Sequence, residues 1–438
     1  MNNGPEPRSG GSARRAVWSW ALYDWANSAY ATAVVAGFFP IFFQMYWNTG
    51  VDGAVATSRL GFANGLSGAI IAVSAPVLGA IADYAGAKRL LLGVFMLLGV
   101  AGTALLSLVG PGSWLTAAAL FVLANVGFMG ANVFYDALLV AVSRAERWHF
   151  VSGLGFGMGY LGGGLLFAGC VAATLQPEWF GLADKAEAVK ASFLATAVWW
   201  LVFAVPLFLW VPEPAPRVRG FGAAALAGLR EVRHTLARVR AMPQILTFLI
   251  AYWLYMDGVH TVYVMAVSYG QALGFGSDKL IMALLLVQFV GFPAAIAFGW
   301  LGERIGAKTG IYIGLGVYTV VSLWGIFLTN VWEFFAIAVL VGLVQGGVQA
   351  LSRSFYARLI PPAESGEFFG FYNLLGKFAT LIGPPMFGLF GVWFGQRYSM
   401  VALIILFVAG GVVLSRVTER HSLGASVRTG NASGTDAG

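Results

Sequence analysis

Charge is what this sequence has least of. Only 10% of its 438 residues are Asp, Glu, Lys or Arg, where a soluble domain carries about 25%. A chain that poor in charge cannot cover itself with a water-facing surface. Cysteine is nearly absent as well: Cys170 stands alone, so an intrachain disulfide is excluded. It lies in an apolar, Gly-rich run and reads as a small buried packing residue. The four histidines, His149, His234, His260 and His421, show no metal-ligand spacing. No H-E-x-x-H, G-x-S-x-G or Cys/His cluster occurs, so the constellations an enzyme needs are missing and neither metal nor cofactor is expected. The net charge of +7 does not point to nucleic acid, because the basic residues sit in short gaps between apolar runs rather than in one patch.

What fills the chain instead is hydrophobic: 59% of residues, with 58 glycines. Glycine on this scale suits membrane helices, where small residues let backbones approach closely. The first apolar run, at about 29 residues, is too long for the h-region of a secretory signal, which is roughly 7–15 residues. Twelve spans of at least roughly 17 residues can be read. Their limits are near 17–46, 59–82, 89–110, 114–142, 152–175, 191–212, 244–270, 279–302, 308–329, 332–357, 367–395 and 397–416. Placing the N-terminus in the cytosol puts Lys and Arg on inner segments by roughly four to one, which sets both termini inside. The expected fold class is an all-α polytopic membrane protein.

The chain repeats itself. "GAIADYAGAKR" follows helix 2 and "GWLGERIGAKT" follows helix 8, so Gly79, Asp83, Gly86 and Lys88 match Gly299, Glu303, Gly306 and Lys308 at one constant offset. At a second constant offset, Trp20, Asp24, Ser28 and Tyr30 of helix 1 match Trp253, Asp257, Thr261 and Tyr263 of helix 7. Two pseudo-symmetric six-helix bundles in parallel repeat are expected, 16–212 and 244–418, and transporters built this way bind substrate near the midplane between the halves. A cytosolic tail (1–15) precedes them. Residues 213–243 join them: "EPAPRVRG" cannot continue a helix, and Leu229, Val232, Leu236 and Val239 then recur opposite Arg230, Arg233, His234 and Arg240. That reads either as a basic amphipathic helix on the membrane or as a soluble linker whose arginines enforce topology. The tail 419–438 is Ser/Gly/Ala/Thr-rich and expected to be disordered.

Polar residues inside apolar helices usually face a bundle interior or a water-filled cavity. Asp24, Asn27 and Ser28 share one face of helix 1, and Asp257, His260 and Thr261 repeat that face on helix 7. By pseudo-symmetry the two faces should look at each other across a central cavity. Two carboxylates there can take up protons or hold an ammonium group, with Asn27 and the hydroxyls bonding a carboxylate; Tyr30 joins this set. Alternatively, Asp24 and Asp257 pair with Lys377, which lies too deep in helix 11 to snorkel easily, or hold kinked helices together. His260 is equally readable as a structural histidine, and Gln345 and Gln349 as cavity groups or interhelical glue. Gly155, Gly159 and Gly163 of "GLGFGMGYLGGG" would let helix 5 pack closely and slide.

The duplicated loop "G-x-x-x-D-x-x-G-x-K-R" resembles the signature of the major facilitator superfamily. "ALYDWANSAYAT", "VSGLGFGMGYLGGGLLF", "LYMDGVHTV" and "GGVQALSRSFYARLIPPAESGEFFGFYNLLGKFATLIGPPMFG" resemble the autophagy-related vacuolar amino-acid effluxers and their bacterial relatives. "FYDALL" departs from them: that family more often has Asn where Asp136 stands. The resemblance implies a secondary transporter working by alternating access, with an amino acid as the small-molecule substrate. A proton is the expected partner and lipid the surroundings, with a monomer in a bacterial inner membrane. A lipid or lysolipid transporter of the same fold, or a non-transporting sensor, is the alternative. It also implies that Asp83, at the end of helix 2, helps lock the cytosolic ends of the halves. A carboxylate there meets the negative end of its own helix dipole, so it needs a cation, such as Arg144 or Arg147, or another helix's N-terminus. Glu303 with Arg353 or Arg358 would be the second copy, and Gly86, Lys88, Arg89 and Arg304 complete the expected gate.

Overall fold

The computed structural model describes residues 10–51, 53–213, 242–378 and 382–418. The linker and both tails expected from sequence lie outside these residues, apart from their edges. Among the described residues every regular element is helical. Helix α1 (Gly10–Ala29) continues through wider π-turns, Tyr30–Phe38 and Phe43–Trp47, with one α-turn between them. There follow α2 (Gly53–Ala85), α3 (Lys88–Leu106), α4 (Trp114–Val142), α5 (Trp148–Leu175) and α6 (Lys185–Trp210). The second half holds α7 (Pro243–Ala272), α8 (Ser277–Ile305), α9 (Ala307–Ile326) and α10 (Val331–Leu359). It ends with α11 (Ser365–Phe378), α12 (Gly383–Phe394) and α13 (Ser399–Ser415).

Eleven of the described helices are long and apolar enough to cross a membrane. Within the expected span at 367–395 the described residues form α11 and α12, on either side of residues 379–381, which lie outside the description. "IGPP" explains where α12 begins: Pro384 and Pro385 supply no N–H and are tolerated only in a helix's first turn.

Local chemistry sets several other ends. Asp184 accepts the N–H of Glu187 at 2.7 Å while Glu187 accepts that of Ala183, a reciprocal cap that starts α6. Asn330 caps α10 by accepting from Trp332 and Glu333, both at 3.0 Å. The matched glycines Gly86 and Gly306 have φ of 61° and 86°, a region that L side chains rarely adopt. They reverse the chain between α2 and α3 and between α8 and α9 in one or two residues.

Successive long helices alternate in direction. The start of α1, the α2–α3, α4–α5, α8–α9 and α10–α11 turns and the end of α13 therefore share one end of the bundle, here the N face. The halves meet through α2 on α11, α5 on α8, α5 on α10 and α4 on α11. If the chain spans the bilayer as this alternation requires, cysteines at exposed Glu146 (N face) and Asp184 (far face), with Cys170 replaced, should react with impermeant reagents from opposite sides of a sealed vesicle. Labelling from the same side would overturn the alternation.

Candidate functional site

A buried guanidinium lies at the centre of the contact between the halves. Arg353 is on α10, about six residues (roughly 9 Å at 1.5 Å per residue) from its end, and only 2% exposed. Its Nη1 lies 3.1 Å from Asp136 Oδ1 and 3.6 Å from Asp24 Oδ2. Its Nε donates to Ser152 Oγ at 2.9 Å and its Nη2 to the Ser152 carbonyl at 3.0 Å. The guanidinium also lies over the rings of Phe156 (4.3 Å) and Trp20 (4.8 Å). The hydrogen bonds and ion pairs described for this C-half cation thus run to N-half groups on α1, α4 and α5. Tyr135 donates to Asp24 Oδ2 at 3.0 Å, and Asn373 of α11 donates to Asp136 Oδ2 at 3.0 Å. A cation is kept out of water only where pairing and hydrogen bonds answer it, and here both are supplied.

Helix α1 presents its polar face as the spacing predicts, but to different partners. Asn27 donates to Asn132 of α4 at 2.6 Å, and Ser28 packs beside Gly159 of α5. Tyr30 packs inside the N half against Phe128 and Trp200, away from the cavity. The expectation that Asp24 and Asp257 face each other is not met. Asp257 instead accepts the N–H groups of Ile382 (3.3 Å) and Gly383 (2.9 Å) where α12 begins. Thr261 donates to the Asp257 carbonyl at 2.7 Å. The side chain of Lys377 lies outside the described residues. His260 and Gln349 are half-buried on their helices.

Beyond the Arg353 cluster, toward the far face, lies a cavity of about 80 Å³ between the halves. Thr32, Ala36 and Gly37 of the π-turn segment line it, with Tyr160, Tyr263, Gln288, Gln345 and an apolar remainder. Among the described residues that line it there is no Asp, Glu, His, Lys or Arg. Gln288 of α8 donates to Thr32 at 2.7 Å, joining the halves across it. Wide π-turns recur at functional sites, where they re-aim side chains; here the segment carries the α1 lining.

The N face is tied in two matching places. Asp83 accepts the N–H groups of Gly366 (3.1 Å) and Glu367 (2.9 Å) at the N-terminus of α11. Lys88 Nζ, 2.7 Å from Asp83, also donates to Ser365 Oγ at 2.8 Å. The cation is therefore Lys88, and neither Arg144 nor Arg147: Arg144 is exposed and Arg147 lies over Phe150. Glu303 accepts the Phe150 N–H at 3.0 Å at the N-terminus of α5 and meets Arg358 at 3.4 Å. Arg353, its other expected partner, is committed to the central cluster. Each acid, unfavourable at its own helix's C-terminus, is favourable at the positive end of a helix from the other half. Close backbone contact makes this reach possible: a Cβ on Gly79 would overlap the Gly366 carbonyl, and one on Gly299 would lie 2.8 Å from the His149 carbonyl. Two expected gate residues act elsewhere. Arg89 donates to the Phe208 and Val211 carbonyls and pairs with Glu213, binding the end of α6. Arg304 stacks on Trp300 at 3.5 Å.

Tyr135, Ser152, Asn373, Thr32 and Gln288 were not picked out as site residues from sequence. Arg353 was assigned to the gate, although its depth within α10 already marked it as a cation needing a buried partner, and Asp136 stood out as a departure.

A sequence profile described as "Vacuole effluxer Atg22 like" matches residues 50–425. The chain is 40% identical over 408 residues to an uncharacterised transporter of the major facilitator type, YxiO of Bacillus subtilis (strain 168), covering 92% of this chain and 95% of that one. It is 28% identical over 289 residues to autophagy-related protein 22-2 of Aspergillus clavatus, covering 58% of this chain but 46% of the fungal protein. The solved human organic anion transporter MFSD10 superposes with a TM-score of 0.69 at 17% identity, covering 92% of this chain and 99% of that one. The fold is therefore that of the major facilitator transporters. The chain belongs to the Atg22-like vacuole effluxer family within them, a family of transporters and not of enzymes.

Proposed function

We propose that this protein is a secondary transporter that moves an amino acid across a membrane by alternating access between the halves 16–212 and 244–418. It works as a monomer in a bacterial inner membrane, with both termini cytosolic and the movement coupled to protons. The observation that carries this reading is asymmetry along the bundle. Polar and backbone ties join the halves at the N face, while the cavity lies on the far side of the Arg353 cluster. A volume of about 80 Å³ is smaller than ligand pockets, which run to roughly 300–1,000 Å³, so the halves must part for solute to enter. The apolar lining, interrupted by neutral polar groups, suits a solute with an apolar body. The family's description as vacuole effluxers supports transport of this class.

Counterflow in proteoliposomes tests it. Vesicles preloaded with an unlabelled amino-acid mixture should accumulate a labelled member transiently. Counterflow of lysolipid alone would move the substrate class to lipids, and no counterflow of either would leave a sensor. For coupling, Asp24→Asn should remove accumulation driven by a pH gradient while exchange persists; unchanged concentrative uptake would exclude Asp24 from the proton path.

The N-face ties are assigned as the gate. Asp83→Asn keeps an acceptor for the α11 N–H groups but removes the charge that answers Lys88. A loss of about 1.4 kcal/mol from the N-face-closed state alone changes the ratio of states about tenfold. A cysteine at Ala350, buried between the halves, should then react about tenfold faster at unchanged melting temperature. A lower melting temperature with unchanged reactivity would reduce Asp83 to a folding role.

A further inference from the structure

We propose that Thr32 of α1 and Gln288 of α8 hold the polar end of the solute, and that the hydrogen bond between them is a placeholder which the solute replaces. The proposal rests on the transporter reading above and assigns part of its binding site.

Each half supplies one member of the pair. Gln288 Nε2 donates to Thr32 Oγ1 at 2.7 Å, and both residues are only 9% exposed. Both line the cavity between the halves. Local structure brings them together. Thr32 lies in the π-turn segment Tyr30–Phe38, a kind of turn that recurs where side chains are re-aimed for function. Helix α5 leaves room for the pair with two glycines. A Cβ on Gly163 would lie 2.8 Å from Thr32 Oγ1, and one on Gly164 would lie 3.1 Å from Gln288 Cβ. Methyl groups there would crowd the pair.

The two ends of the cavity differ. Tyr160 is one turn along α5 from Phe156, the ring over which Arg353 lies, and walls the cavity toward the N face. That wall is close-packed: a Cβ on Gly291 or Gly346 of the C half would lie 2.9 or 2.6 Å from the Tyr160 ring. Leu280 and Phe334, near the far-face starts of α8 and α10, line the other end. A solute with one polar and one apolar end therefore fits in one direction. Its polar end lies inward on Thr32 and Gln288, and its apolar end points toward the far face.

The chemistry of the pair makes its bond exchangeable. An amide and a hydroxyl each donate and accept. They satisfy each other when the cavity is empty, and a buried amide or hydroxyl left alone would be costly. A solute carboxylate accepts from the Gln288 amide and the Thr32 hydroxyl, and a solute ammonium donates to the Gln288 carbonyl. The polar end of an amino acid offers both. Bonds to such charged groups are stronger than the neutral bond they replace. The solute then joins the halves as the bond did, so the far face can close over it.

Alkylation of Ala338→Cys, at a buried lining position, reads the site in the full-length protein in nanodiscs, with Cys170→Ala. The probe is an equimolar mixture of the proteinogenic amino acids, and the concentration that halves the alkylation rate is measured. Thr32→Val and Gln288→Met each remove the hydrogen bond at similar side-chain size. In both, the half-protecting concentration should rise about tenfold, as expected for loss of one bond to a charged group. Thr32→Ser keeps the hydroxyl and should stay near the parent value. A pair that only latches the halves predicts otherwise: losing it populates the open state, which leaves the apparent affinity unchanged or improves it. A half-protecting concentration that is unchanged or lower in either folded variant therefore overturns the proposal, while the transporter reading stands. Absence of protection in the parent protein overturns the proposal and the amino-acid reading together. If Gln288→Met does not fold, Thr32→Val decides alone.

Discussion

A charge taken out of water must be answered, and the buried cation Arg353 of α10 is answered across the contact between the halves. Its partners come from three helices of the opposite half. Removing both acids would leave a buried cation uncompensated, a change of the kind that typically costs about 3–5 kcal/mol. The arrangement therefore specifies a relative position of the halves more sharply than apolar packing would. Lipid tails are as apolar as leucine, so burying leucine between membrane helices gains little. Directional polar contacts and close backbone approach decide the register instead. Ser152 illustrates both: its hydroxyl and carbonyl hold Arg353, while its hydroxyl also donates to the Ala350 carbonyl across the interface.

The duplication has kept one device and let another diverge. Asp83 and Glu303 perform the same task at the N face, each capping a helix of the opposite half beside a close-packed glycine. The acids of the first helices have parted company. Asp24 sits in an ion cluster against an unbroken α5, whereas Asp257 caps the start of α12, where the corresponding span is split. The matched lysines differ too. Lys88 answers Asp83, while Lys308 donates to the Ser415 and Val417 carbonyls at the end of α13. A basic group at a helix C-terminus is favourable, and in the first half Arg89 does this for α6. The duplicated sequence thus fixes a chemical need at each end, and neighbouring positions share out who meets it.

The sequence by itself determined the membrane class, the number of crossings to within one broken span, the two-half repeat and the family. These depend on composition, on apolar lengths near twenty residues, and on motifs whose spacing is local. It also determined which residues were out of place: Asp24, Asp257, Asp83 and Glu303 are expensive where they stand, and each has a specific partner. Tertiary structure alone decided who those partners are. Arg353 lies more than 200 residues along the chain from Asp136 and Ser152, and no local pattern records such a contact. Helical spacing says which face of α1 is polar, but what that face meets depends on how the halves tilt. Asp24 therefore faces Arg353 and not Asp257, and Asp83 takes Lys88 rather than Arg144. A carboxylate's need for a counter-charge is a property of the residue; the identity of the counter-charge is a property of the packing.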